Sequence, residues 1–385
     1  MIINAEIYTM DESGKVIKNG YIKDVDGKIT EIGEMCELDD CPLDAFDAKG
    51  ARVYPGMVDA HTHLGLFEEG IAFEGDDGNE DTDPVTPHMR AIDGSNPMDG
   101  YFRQALEAGI TTVLISPGST NPIAGEIAAV KTYGKRIDKM ILKAPAAIKM
   151  SLGENPKSTY NDKDQSPVTR MAVAALIRET LARAKKYADE KDAADNDSSL
   201  DPPEYDMKYE SLYPVMRRKI PVHFHAHRAD DIFTALRISS EFNIKCVIVH
   251  GTEGHLIAGD LAEDGIGVLS GPFMTDRSKP ELKNMTAASP GLLSSAGIKT
   301  AIITDHPETP INYLSLCAAV AVREGMEKNM AIRAVTVVPA EICGIADKVG
   351  SLEIGKDADY YIIDGDPLDI MNKPSAVFIN GRKVI

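Results

Sequence analysis

The chain has 385 residues, 43% of them hydrophobic and 26% charged, with a formal net charge of −19. That acidity speaks against nucleic acid or an anionic membrane surface as partner, because both are bound by basic patches. No apolar run reaches membrane-spanning length, and Met1–Glu6 lacks a basic stretch followed by an apolar one, so a cytoplasmic protein is expected. The five scattered cysteines (Cys36, Cys41, Cys246, Cys317 and Cys343) fit reduced thiols in that compartment. The expected partners are a small-molecule substrate and further copies of the chain.

Residues 1–52 read as short strands and turns, with Asp11–Gly14 and Asp26-Gly27 as the turn signals. Thereafter strands alternate with helical segments, the pattern of a parallel α/β arrangement. Strands are predicted at 53–63, 111–116, 126–132, 146–152, 220–227, 245–250, 266–270 and 299–305. Helices are predicted at 99–108, 168–187, 229–242, 256–264 and Ile311–Lys328, with further helix near Met330–Ala334 and Pro339–Cys343. Eight such strands predict an α/β fold of the (β/α)8 TIM-barrel type over residues 53–344. Strands return at Ala358–Ile363 and Ala376–Ile379, with Asn380-Gly381 as a hairpin turn. Neither end holds enough strands to stand alone, so 1–52 and 345–385 are expected to form one small β-sandwich domain. The acidic segments 67–98 and 188–206 read as loops.

A barrel of this kind gathers its active site where the strands end, which directs attention to the titratable residues there. The first strand ends in His61-Thr62-His63, two imidazoles on one face of a strand. The fourth carries Lys149 in an otherwise apolar run, and Lys143 and Lys131 are weaker candidates for the same role. The fifth has histidines at period 2, His223, His225 and His227. The sixth ends in His250 and the eighth in Asp305. Each alone has an ordinary explanation: a lone histidine at a strand end is more often a satisfied polar residue than a ligand, and Asp305 before His306-Pro307 is a turn residue. Together they read as a metal site. Glu154, in Gly153–Lys157, is an alternative carboxylate.

The order His-x-His, lysine, histidine, histidine, aspartate on strands 1, 4, 5, 6 and 8 resembles the amidohydrolase superfamily. Pro55–His63 and Val349–Asp359 look like that family's first strand and its return to the small domain. Among its members the chain is most similar to imidazolonepropionase-related and dipeptidase-like enzymes. The resemblance implies one or two divalent metal ions, zinc first, with iron, manganese or nickel as alternatives. It implies that His61, His63 and Asp305 hold one ion and that His225 and His250 hold a second. Lys149, carbamylated by CO2, would bridge the two; His225 is preferred to His223 because it lies nearer the strand end. The implied activity is hydrolysis of an amide or cyclic amide C–N bond by metal-activated water, with Asp305 as proton shuttle. Single-metal imidazolonepropionase-like or deaminase chemistry is the alternative. The glutamate that deaminases carry after the fifth-strand histidine is missing from His225–Asp231. A silent barrel scaffold is the remaining reading, disfavoured because every ligand position is filled.

Overall fold

The computed structural model describes residues 1–385. Its strands are β1 (Ile2–Tyr8), β2 (Val16–Val25), β3 (Lys28–Glu34), β4 (Phe46–Asp47), β5 (Arg52–Pro55), β6 (Met57–Thr62), β7 (Ile110–Ile115) and β8 (Ile123–Lys131). They continue as β9 (Ile141–Ser151), β10 (Val222–Ala226), β11 (Cys246–His250), β12 (Gly267–Ser270), β13 (Thr300–Ile302), β14 (Tyr360–Ile363), β15 (Pro374–Ile379) and β16 (Arg382–Lys383). β6 to β13 form one eight-stranded sheet in sequence order, and the remaining strands form a second.

The first sheet departs from a uniform (β/α)8 barrel at its third strand. β8 runs antiparallel to both β7 and β9. The connections explain it: residues 116–122 and 132–140 are too short to carry a crossover helix, and an antiparallel neighbour needs none. All other ladders in this sheet are parallel.

Helices cover the outer faces of the strands. Ile148 and Met150 of β9 and Val222 and Phe224 of β10 pack with Val173, Ile177, Leu181 and Ile232. Because side chains alternate across a strand, Lys149, His223 and His225 are turned to the opposite face, toward the barrel axis. The helix predicted at 168–187 extends over Arg170–Asn196, so much of the segment 188–206 expected as a loop is helical. Asp189 and Asp192 on that extension pair with Arg217, which holds them in register.

β13 and β6 close the barrel without a ladder of their own. At one end Ala334 and Val335 lie between them, accepting from Ile302 N at 2.9 Å and Val58 N at 2.8 Å. Midway, the buried Asp59 carboxylate accepts from Thr304 N at 3.2 Å and from the Thr304 hydroxyl. At the other end His63 N donates to His306 O at 2.9 Å.

The second sheet runs β16-β15-β14-β5-β1-β2-β3, with β4 beside β1, so both ends of the chain share it. It curls back on itself, and the β3 edge meets the segment leading into β14: Ile29 N donates to Lys356 O at 2.9 Å and Ala358 N to Gly27 O at 2.9 Å. Ile2, Ile7, Ile22, Ile29, Tyr360 and Phe378 fill the enclosed space. The run predicted as one strand over 53–63 is divided at Gly56, where the chain leaves the second sheet for the first. No helix is long and apolar enough to cross a membrane.

Candidate metal centre

Two groups of ligand-type side chains stand at the C-terminal ends of the parallel strands. His61, His63 and Asp305 form one, and His225, His227 and His250 the other, each group with its ligand atoms within 4.8 Å of one another. Asp305 Oδ1 lies 3.3 Å from His61 Nε2 and 3.4 Å from His63 Nε2. Lys149 is wholly buried, and its Nζ lies 3.2 Å from His61 Nε2. The two groups adjoin through His250, whose Nδ1 is 3.9 Å from Asp305 Oδ2.

The backbone is strained to deliver two of these residues. His250 has φ 73° and Asp305 φ 55°, left-handed values that residues with a Cβ rarely adopt. Such conformations cost roughly 1–3 kcal/mol and gather at functional sites.

Second partners fix the imidazoles. His63 Nδ1 and His250 Nδ1 each lie 2.7 Å from a carbonyl, of Ser116 and Gly271, and His227 Nδ1 lies 2.7 Å from Thr252 Oγ1. Donation from Nδ1 to a carbonyl leaves Nε2 free as a ligand in His63 and His250. Burial drives the histidine pKa values down: well below the ordinary value for His61, His225 and His227, and to about 4 for His250. Neutral imidazole is the form that binds a metal. Burial would push Asp305 up, but His250, His61 and His63 outweigh it and hold the carboxylate well below its usual range. Burial also lowers the Lys149 ammonium to about 7.

Unpartnered atoms test whether a cation fits. Both ring nitrogens of His225 and the Oδ1 of Asp305 are buried without a hydrogen-bond partner. Unmade bonds of this kind are costly, and a divalent ion satisfies them. The donor set of imidazole nitrogen and carboxylate oxygen suits zinc, iron or nickel.

Of the residues singled out from sequence, His61, His63, Lys149, His225, His250 and Asp305 thus converge. His223 is buried opposite Lys149 in the β9–β10 register, one pleat deeper than His225, and belongs to neither group. Lys131 is carried away because β8 runs antiparallel; it pairs with Asp357 at 2.6 Å and Asp359 at 3.0 Å. Lys143 lies near the start of β9 and donates to Gly344 O. Glu154 begins the helix Glu154–Asn161 and belongs to neither group, but its N–H donates at 3.0 Å to Glu281 Oε2.

Sequence reasoning passed over His227, although the period-2 run pointed to it, and Glu281, which no periodic pattern marks. Burial would push the Glu281 carboxyl up; His227 and Lys279 outweigh it and hold it below the ordinary value. A cleft of about 390 Å3 opens onto the centre, lined by His63, His225, His227 and Asp305 with polar Asn79, Thr120, Asn155, Ser278 and Lys279. A larger cavity, about 620 Å3, lies at the opposite end of the barrel around Lys143 and Lys245, remote from these ligands.

A barrel with histidine pairs, a buried lysine and an aspartate at its strand ends defines a metal-dependent hydrolase. The chain belongs to the Amidohydrolase family, whose model matches residues 52–385. Membership places it among hydrolases acting on carbon–nitrogen bonds. An amidohydrolase from Thermotoga maritima MSB8 has a similar structure, with TM-score 0.95 and 40% identity, covering 100% of this chain and 99% of that one. Amidohydrolase tasK of Hapsidospora irregularis is 29% identical over 381 residues, 92% of this chain; the match spans only 39% of that protein's length. Imidazolonepropionase of Rhizobium rhizogenes is 23% identical over 388 residues, covering 94% of this chain and 90% of that one.

Proposed function

We propose that the protein hydrolyses a small, polar amide or cyclic amide at a centre of two divalent cations. The observation that carries this reading is the convergence of His61, His63, Lys149, His225, His250 and Asp305, all buried, with orphaned ring nitrogens and an orphaned carboxylate oxygen among them. In it, His61, His63 and Asp305 hold one cation, and His225 and His250 take part in holding the other. Lys149, as a carbamate, would add oxygen ligands beside His61. A bound divalent cation supplies Lewis acidity and lowers the pKa of water.

The chain's own groups then have defined tasks. A buried lysine whose one polar partner is a histidine nitrogen stays in part an amine, which adds to CO2 as it loses a proton. The resulting carboxylate supplies the oxygens that an ammonium lacks. Asp305 accepts the proton of the attacking water and returns it to the leaving nitrogen, base and then acid. Asn79, Thr120, Asn155 and Ser278 offer the hydrogen bonds that orient a polar substrate in the cleft.

The test is a hydrolysis screen of cyclic imides, N-acyl amino acids and dipeptides on protein reconstituted with zinc and bicarbonate. Turnover of one class, lost on chelation and restored by metal, is expected. Release of ammonia from an aminated ring in place of amide cleavage would replace this reading with deamination.

A further inference from the structure

The second group of histidines has a neighbour that the six-residue set leaves out. Glu281, in the short 3-10 turn Pro280–Leu282 after β12, is 2% exposed. Its Oε1 lies 3.6 Å from His227 Nε2 and 3.9 Å from His225 Nε2. Its other oxygen is already used by Glu154 N, which fixes the carboxylate's orientation. The one ammonium beside it is Lys279 Nζ, 2.8 Å from Oε1, and that lysine also donates to Asn155 Oδ1 at 2.7 Å.

A glutamate whose sole task is to neutralise Lys279 has no need to face two imidazoles. His227 likewise is tied by Thr252 at Nδ1, leaving Nε2 turned to the carboxylate. Three neutral imidazoles and one carboxylate make a complete four-ligand set for a divalent ion. Lys149 has its hydrogen-bond contact with His61, in the other group.

We infer that Glu281 and His227 complete, with His225 and His250, a second cation site that fills without Lys149. The inference rests on the two-cation reading above and adds two ligands to it.

The experiment counts zinc per chain in the reconstituted full-length protein and follows its loss to a competing chelator. Wild type should hold two ions. Glu281→Gln and His227→Asn should each lose one of them or weaken it by roughly tenfold or more, the least that loss of a ligand-orienting group costs. The visible spectrum of the cobalt-substituted protein should change with it. Lys149→Met should keep the ion that Glu281→Gln loses, and Lys279→Met should keep both. Circular dichroism checks folding, and Glu281→Asp, which keeps the charge but shortens the reach, stands in should Glu281→Gln not fold. Two ions held as tightly in Glu281→Gln as in wild type would overturn the inference and leave the proposed function standing. So would loss of the same ion in Lys279→Met, since Glu281 would then act through its lysine. A wild type holding one ion or none overturns both.

Discussion

At the scale of single residues the centre turns on two groups with opposite histories. Asp305 sits past the end of β13 with a left-handed backbone and a carboxylate among three histidines. Asp305→Asn keeps an oxygen for a metal and removes the base, so turnover should fall about 10²–10⁴-fold while metal content stays near that of wild type. Steady-state kinetics and metal analysis of the variant check both halves; near-normal turnover would pass the role to His306 or Glu308. Lys149 is wholly buried with its hydrogen-bond contact to His61. Protein exchanged into 13C-bicarbonate should show one carbamate carbon signal that Lys149→Met lacks, and the variant should lose at least one ion. Both residues were readable in advance because a charged group inside an apolar strand, or at its end, breaks a regular pattern. Glu281 was not readable, since a loop has no pattern to break and only folding brings residue 281 beside 225 and 227. His223, His225 and His227 share a face, and the depth of each along the barrel, which decides among them, is a property of the tertiary fold.

At the scale of elements the strand positions followed from apolar runs, but direction did not. The apolar run of β8 reads as a third parallel strand, though residues 116–122 and 132–140 leave no room for the helices that parallel neighbours require. That reversal removes Lys131 from the centre and delivers it to the second sheet. The hinge between β5 and β6 was likewise hidden, because Gly56 lies in a continuous apolar stretch. A Cβ at Gly56 would overlap the side chain of Thr111. Gly56→Ala should therefore destabilise the protein by about 1–3 kcal/mol, the usual range for overpacking, in urea or thermal unfolding. An unchanged midpoint would mean that Thr111 moves aside freely.

For the whole molecule, the joint between the sheets rests on Lys131, buried among Asp357, Asp359 and Asn380. Removing one partner of a buried ion pair costs about 3–5 kcal/mol, so Lys131→Met should be strongly destabilised at neutral pH. Burial raises Asp357, but Lys131 and Lys28 outweigh it and hold it below its ordinary value of 3.8. Its contribution is then present above that value and is lost as pH falls through the lower folded one. The gap in stability between wild type and Lys131→Met should accordingly narrow in acid, which melts across a pH series would reveal. Deleting residues 358–385 strips β14 from β5 and should raise hydrogen exchange in β1 and β5 as well. The pairing of the two ends was legible as a shortage of strands at each, whereas the lysine that fastens them was not. The barrel's own closure has a different character. Between β13 and β6 no ladder runs, and His61, His63 and Asp305 come from these two staves. An ion held there acts as a rivet through an unwelded hoop, and chelation should loosen β6 and β13 ahead of every other stave.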